Sequence, residues 1–195
     1  MNSIFSKNSF LVKERIGILK ASNNFEILNP ENGSLLMTCS EPNLGFFTKI
    51  FRFTDYKKMS PFDMIIKDVQ GKKILNIKRG VTFFRSSIKV FDENNTLIGV
   101  FKESFFSIGG KFKIYSSKDE HLCTLAGKWT GWDFKFIENG NEIGRVSKKW
   151  SGIGKEFFTS ADNYVLSIDR TISSDNPIRQ LIFASIFCID MVFKE

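Results

Sequence analysis

Along most of this chain, apolar and polar residues alternate in short runs, and the runs come in pairs separated by turn residues. In NNFEILNPENGSLLMTCSEP, Phe25 and Ile27 alternate with polar neighbours, Glu31-Asn32-Gly33 marks a turn, and Leu35 and Leu36 follow. PFDMIIKDVQGKKILNIKRG repeats the design with Phe62, Met64 and Ile66, a turn near Gln70-Gly71, then Ile74, Leu75 and Ile77. SSIKVFDENNTLIGVFKES turns at Glu93-Asn94-Asn95, GKFKIYSSKDEHLCTLAGKW follows, and WDFKFIENGNEIGRVSKKW turns at Glu138-Asn139-Gly140. A period of two is the signature of a strand with one buried face. Asn-Gly between such runs predicts a hairpin, because both residues tolerate the positive φ of a type I′ turn. Five units of twenty-odd residues read as an antiparallel meander, which must close or form a sandwich to protect its edges. The period admits a propeller or solenoid, but no identical motif recurs, so a barrel or sandwich is the better reading. No linker or low-complexity segment interrupts the pattern, so residues 1–195 are expected to form one domain, with strands over about 10–172.

The period changes at the end of the chain, in NPIRQLIFASIFCIDMVFKE. Asn176 is a suitable N-cap and Pro177 suits the first helical position, which predicts a helix over about 177–193. Ile178, Leu181, Ile182, Ile186, Ile189 and Phe193 take one face; Phe183, Ala184, Phe187, Cys188 and Met191 take the rest. A helix apolar all round must be buried all round, in a protein core or in lipid. A membrane anchor needs about twenty apolar residues. Here the uncharged run from Leu181 to Ile189 is nine residues, bounded by Arg179 and Gln180 on one side and Asp190 on the other. Burial in the core is therefore favoured, and a barrel wrapped around this helix supplies every strand with an inner face. Asp190 opposes the helix dipole in the last turn and is expected to meet a Lys or Arg at the barrel rim, or water there.

Composition adds three constraints. The 22 Phe among 195 residues point to a dense, strand-rich domain. A net charge of +7 favours anionic partners, whether membrane surfaces, nucleic acid or acidic proteins. Cys39, Cys123 and Cys188 are an odd, widely spaced set without CxxC, which suits a reducing cytosol and neither a disulfide framework nor a zinc site. MNSIFSKNSF lacks the apolar core of a secretory signal, and Asn2 stands where myristoylation needs glycine, so a cytoplasmic location is expected.

The segment SKKWSGIGKEFFTSADNYV, followed by FASIFCIDMVFKE, resembles the C-terminal part of the phospholipid scramblase family. The likeness continues upstream through FEILNPENGSLLM and PFDMIIKDVQGKKILNIKRG, from about Phe10 onward. That family is similar in fold to tubby C-terminal domains and plant LURP-one-like proteins. The resemblance therefore implies a mainly β fold, a closed antiparallel barrel of about twelve strands enclosing the hydrophobic helix. It implies a non-enzymatic role at membranes: peripheral binding of anionic phospholipid with calcium-linked movement of lipid between leaflets. The alternative is a soluble tubby-like barrel that binds a lipid, ligand or protein partner without scrambling.

The family's calcium loop would run from Ser160, where the family carries Asp, through Asp162 and Tyr164, with Asp169 and Asp175 past a two-residue insertion. Asp162 is the one carboxylate matched to the motif, and Asp169 is the second candidate for weak calcium binding. Calcium takes about six to eight oxygens, so NYVLSID reads better as a strand with Tyr164, Leu166 and Ile168 on one face. The family's acylated cysteine clusters have no counterpart, which leaves basic residues to hold anionic lipid. The candidates are Lys72, Lys73, Lys78 and Arg79 around one hairpin, and Lys148, Lys149 and Lys155 around Trp150. Catalysis finds little support, because His121 is the sole histidine and neither a phosphate loop nor HExxH is present. Nucleic acid is a poor fit, since alternating Phe belongs to a core and no RNP motif occurs. The chain is expected to be a monomer.

Overall fold

The computed structural model describes residues 3–15, 24–42, 60–81, 86–104, 111–128, 131–148 and 163–193. Twelve strands close into one antiparallel barrel in strict chain order, with the first strand pairing the last. They are β1 (Ser9–Arg15), β2 (Asn24–Leu28), β3 (Leu35–Ser40), β4 (Phe62–Asp68), β5 (Lys73–Arg79) and β6 (Ser87–Phe91). The circuit continues with β7 (Leu97–Glu103), β8 (Lys111–Ser116), β9 (His121–Lys128), β10 (Asp133–Glu138), β11 (Asn141–Ser147) and β12 (Asn163–Ile168). β1 closes the barrel on β12 through register pairs such as Phe10 with Leu166 and Val12 with Tyr164. One helix, α1 (Ile178–Phe193), follows β12. The barrel and its helix are the architecture expected from the alternating runs and the closing apolar segment.

The five hairpins expected from the sequence, β2–β3 to β10–β11, all turn at one end of the barrel. Three of them share one design at intervals of 24 residues. Asp68, Asp92 and Ser116 each receive two backbone N–H groups on a side-chain oxygen, from residues two and four positions ahead. Three residues after each stands the left-handed position, Gly71 (φ 84°), Asn95 (φ 63°) and Asp119 (φ 64°). The residue types differ, which is why no repeat shows in the sequence, but the hydrogen bonds are the same. One positive-φ residue with a register shift at the end of the first strand is the signature of a bulged turn. Shifts stand at Ile66/Lys67, Val90/Phe91 and Ile114/Tyr115. The type I′ expectation therefore holds in its backbone only at Asn139-Gly140, where both residues have positive φ (49° and 84°).

Alternate strand residues point inward and meet α1, which fills the barrel. Phe183 lies edge-on to Phe5 and Phe10 at 5.4 and 5.1 Å, and Phe187 to Phe25 at 5.2 Å. Every α1 residue from Ile178 to Met191 is buried. Asn176 caps the helix, its side-chain oxygen accepting from the Ile178 N–H at 3.0 Å. β12 ends at the turn end, so α1 enters there and runs toward the opposite, loop end. At its entry Arg179, 1% exposed, donates to the carbonyls of Phe5, Lys7 and Ile172 and to Asn8 Oδ1, all at 2.7–2.8 Å. The N-terminal segment is thereby tied over the mouth of the barrel.

Gly99 on β7 is required by the close approach of α1. A Cβ there would stand 2.6 Å from the Tyr115 carbonyl oxygen and 2.8 Å from the Leu181 side chain. Gly99→Ala is expected to destabilise the fold by about 1–3 kcal/mol, the usual cost of overpacking. Denaturant unfolding checks this, and an unchanged midpoint would show that α1 does not press on β7.

Candidate functional site

The connectivity brings three distant segments to the loop end. Trp132 precedes β10, Lys148 follows β11, and Tyr164 lies at the start of β12. Trp132 and Tyr164 stack with centroids 4.7 Å apart, and Lys148 Nζ stands 4.7 Å from the first ring and 5.2 Å from the second. Trp132 has φ 46°, unusual for a bulky residue, and its carbonyl accepts from the Lys148 N–H at 3.2 Å. Below the rings, the Tyr164 hydroxyl donates to Asp190 Oδ1 at 2.8 Å. An ammonium, an aromatic pair and a carboxylate thus succeed one another from rim to core. Asp190 is 3% exposed, so it does not reach water at the rim as the bland expectation had it; a phenol meets it inside the barrel.

The three cysteines are all buried and free. Burial pushes each thiol up, to about 12 for Cys123, and Glu41, Cys188 and Asp190 add to the effect at Cys39. Thiols held protonated inside a core are poor nucleophiles.

The basic residues singled out in the sequence do not form one patch. Lys72 and Lys73 lie at the turn end, where Lys72 pairs with Glu93 at 2.6 Å and Lys73 donates to Asn95 at 2.7 Å. Lys78 and Arg79 lie at the other end of β5, where Lys78 pairs with Asp63 at 3.2 Å. Arg79 does not belong to an exposed basic cluster: it is 3% exposed, donates to the Ser60 carbonyl at 3.1 and 2.6 Å, and covers Phe62. A guanidinium here satisfies a buried carbonyl and stacks on a ring, a structural use of the charge. Lys149 and Lys155 lie outside the described residues, as do Trp150, Ser160 and Asp162.

The outer wall carries lysines that the sequence reading passed over. Lys89, Lys111 and Lys113 are exposed on β6 and β8. Three lysine pairs face each other directly in register: Lys67 with Lys73, Lys78 with Lys89, and Lys102 with Lys113. Like charges placed opposite each other in a sheet destabilise it. Their recurrence on β4–β8 gives this wall a positive face, relieved in part by Asp63 on Lys78 and by Asp119 on Lys102. The signal was present in the strand alternation of Ser87-Ile88-Lys89 and Lys111-Phe112-Lys113, once strand pairing is known.

Asp169 takes the Thr171 N–H and hydroxyl on one carboxylate oxygen at 2.8 and 2.6 Å, and those bonds hold its carboxyl below the usual range. It shapes the turn after β12, at the turn end. Among the described residues no group of three or more His, Cys, Asp or Glu comes together to hold a metal. Calcium needs about six to eight oxygens, so Asp169 and its described neighbours do not by themselves make a coordination shell. Tyr164, Leu166 and Ile168 all join the inner core, as the strand reading expected.

A family model described as Scramblase matches residues 4–195. The chain belongs to the scramblase family. It is 25% identical over 150 residues to human phospholipid scramblase 2, covering 69% of this chain and 50% of that one. It is 22% identical over 191 residues to human phospholipid scramblase family member 5, covering 90% and 68%. A phospholipid scramblase family protein of Schizosaccharomyces pombe is 20% identical over 168 residues, covering 82% and 44%. The chain thus spans about half the length of most of the curated relatives it matches. The X-ray structure of a protein from Arabidopsis thaliana shares the fold, with a TM-score of 0.56, 12% identity, and coverage of 99% of this chain and 94% of that one.

The buried thiols make the stability of this scramblase-family barrel depend on pH. An unfolded thiol loses its proton near pH 8.5, roughly, whereas a buried one keeps it well above that. The folded state then binds more protons than the unfolded one, so stability falls as pH rises from about 8.5 toward 12, the range set by Cys123. Ellman's reagent at about pH 9 is expected to find no reactive thiol in the native protein and all three cysteines after denaturation. Native reactivity at any of them would show that the core opens. Tyr164→Phe is expected to cost about 1–3 kcal/mol by withdrawing a donor from a buried carboxylate. Urea titration measures it.

Proposed function

We propose that this chain is a scramblase-like phospholipid-binding protein that docks peripherally on anionic membrane surfaces through its outer wall. The observation that carries the proposal is the row of directly opposed lysines on β4–β8, set beside a scramblase family match over residues 4–195. A fold gains nothing from opposed like charges, whereas an anionic surface relieves them all at once. Each lysine near such a surface contributes about 1 kcal/mol, so several acting together give reversible binding. The role is one of binding and not of bond chemistry, on the inner, cytoplasmic face of a membrane.

Among the described residues no helix is long and apolar enough to cross a membrane. The enclosure of α1 favours a second reading, a lipid- or protein-binding barrel without transbilayer activity. Calcium-linked movement of lipid between leaflets belongs to the first reading alone.

Flotation with phosphatidylserine vesicles tests the proposal. Wild-type protein is expected to float at low salt and to be released as salt rises. Charge reversal at Lys89 and Lys113 together is expected to weaken binding by at least about thirtyfold, from about 1 kcal/mol per lost lysine. Lys72→Gln, at a residue already held by Glu93, should change it little. Absence of flotation at low salt would overturn the membrane role. A proteoliposome assay of fluorescent-lipid movement, with and without calcium, separates the first reading from the second.

A further inference from the structure

We propose that Lys67, Lys89 and Lys113 on the outer wall are acylation sites for a short-chain acyl thioester, and that their modification sets the charge of the wall. The three directly opposed lysine pairs share one asymmetry. In each, one ammonium is held: Lys73 by Asn95 Oδ1 at 2.7 Å, Lys78 by Asp63 at 3.2 Å, and Lys102 by Asp119 at 2.6 Å. Lys102 also lies over the Tyr115 ring, 4.4 Å from its centroid. The other member of each pair, Lys67, Lys89 or Lys113, is exposed, and among the described residues no ion pair or hydrogen bond holds its Nζ.

Strand register leaves these three without an acid directly opposite. Lys67 stands between Thr38 and Lys73, Lys89 between Lys78 and Val100, and Lys113 between Lys102 and Thr124. Each has a lysine on one side and an uncharged residue on the other. A lysine bound to a carboxylate keeps its proton and hides its lone pair. Lys72 shows this, since the hydrogen bond to Glu93 and its charge push the ammonium above the usual lysine range. An exposed ammonium on a flexible stem, with no acceptor to leave, presents its amine to a reagent without that cost.

The reaction balances without a redox partner. The deprotonated Nζ attacks the thioester carbonyl, an amide C–N bond forms, the C–S bond breaks, and the thiol leaves with the proton that the amine gives up. The product is neutral where the lysine was charged. At an ion-paired lysine that change breaks a favourable contact. Here it removes a like-charge opposition that destabilises the sheet. Acylation of this set therefore stabilises the fold while it lowers the positive charge of the wall. Its effect at an anionic surface rests on the docking proposed above, whereas the sites themselves do not.

Incubation of the full chain with acetyl-coenzyme A at mildly alkaline pH, followed by peptide mass spectrometry, tests the sites. Lys67, Lys89 and Lys113 are expected to react at least about threefold faster than the carboxylate-bound Lys72, Lys78 and Lys102, the factor of one exposed ion pair. Lys113→Gln is expected to raise the melting temperature by about 1–3 °C. Lys111→Gln, on the same strand but facing Ala126 and no lysine, should leave it unchanged. Even labelling, faster labelling of the bound lysines, or a Lys113→Gln melting temperature no higher than that of Lys111→Gln would overturn the assignment. Release of the acetylated protein from phosphatidylserine vesicles at lower salt than the unmodified protein supports control of the wall, and equal release overturns that control. Protein that never floats overturns the docking, while the labelling rates still decide the sites, so the two failures are told apart.

Discussion

The interior of a barrel this wide has to be filled. Side chains alone fill a barrel of about eight strands, and twelve enclose more space than they can reach across. The chain fills it with α1, a helix buried on every side, and much else in the structure follows from that. The helix must be apolar all round, so it carries the sequence character of a membrane span while packing as a core. The strands must offer it large inward side chains, and Phe10, Phe25, Phe101, Phe112, Phe134 and Phe136 are among them. Where a helix side chain presses closest, the wall has to give way, and Gly99 does so opposite Leu181. The two charged residues near the helix ends are buried with it and have to be satisfied inside. Arg179 finds backbone carbonyls and Asp190 finds the Tyr164 hydroxyl.

The barrel and its core were legible because alternation and all-round apolarity are local signals. Phe25 and Ile27, or Met64 and Ile66, declare an inward face without any knowledge of their partners, and Asn176 declares a helix start. The 24-residue turn design was not legible, because its content lies in backbone hydrogen bonds that Asp, Asn, Ser and Gly can all support. Surface chemistry was the least legible. Lys72, Lys73, Lys78 and Arg79 look like one cluster in a hairpin. A strand, however, separates its ends by about 3.3 Å per residue, and the pleat and rim decide which charge meets solvent. Arg79 is buried for this reason, while Lys89 and Lys113, far apart in sequence, join one wall through register.

Among the described residues, the two ends of the barrel carry different contacts. At the turn end, five-residue hydrogen-bonded turns and the Arg179 clamp make a network of bonds to backbone groups. Among the described residues, the loop end carries side-chain contacts: Lys148 over Trp132 and Tyr164, Tyr164 on Asp190, and Arg79 on the Ser60 carbonyl. Side-chain closures respond to what approaches them. An anionic headgroup drawing Lys148 outward would uncover the aromatic pair and leave the phenol and carboxylate beneath it in altered surroundings.

Whether α1 itself leaves the barrel for a bilayer is a question of what each side loses. The helix would lose little hydrophobic stabilisation, since lipid is as apolar as the core. The wall would lose much more. Phe10, Phe25, Phe101, Phe112, Phe134 and Phe136 are all essentially inaccessible in the folded state. Exposing side chains of this kind to water costs about 1.5–3 kcal/mol each. Arg179 and Asp190 would enter the hydrocarbon or its edge, at about 2.5–3.5 kcal/mol apiece at the centre of a span. Together these exceed or match the 5–15 kcal/mol, roughly, by which an entire domain is stable. With 16 residues rising about 1.5 Å each, the helix would also fall short of a 30 Å hydrocarbon layer. Physics thus favours a barrel that keeps α1 enclosed.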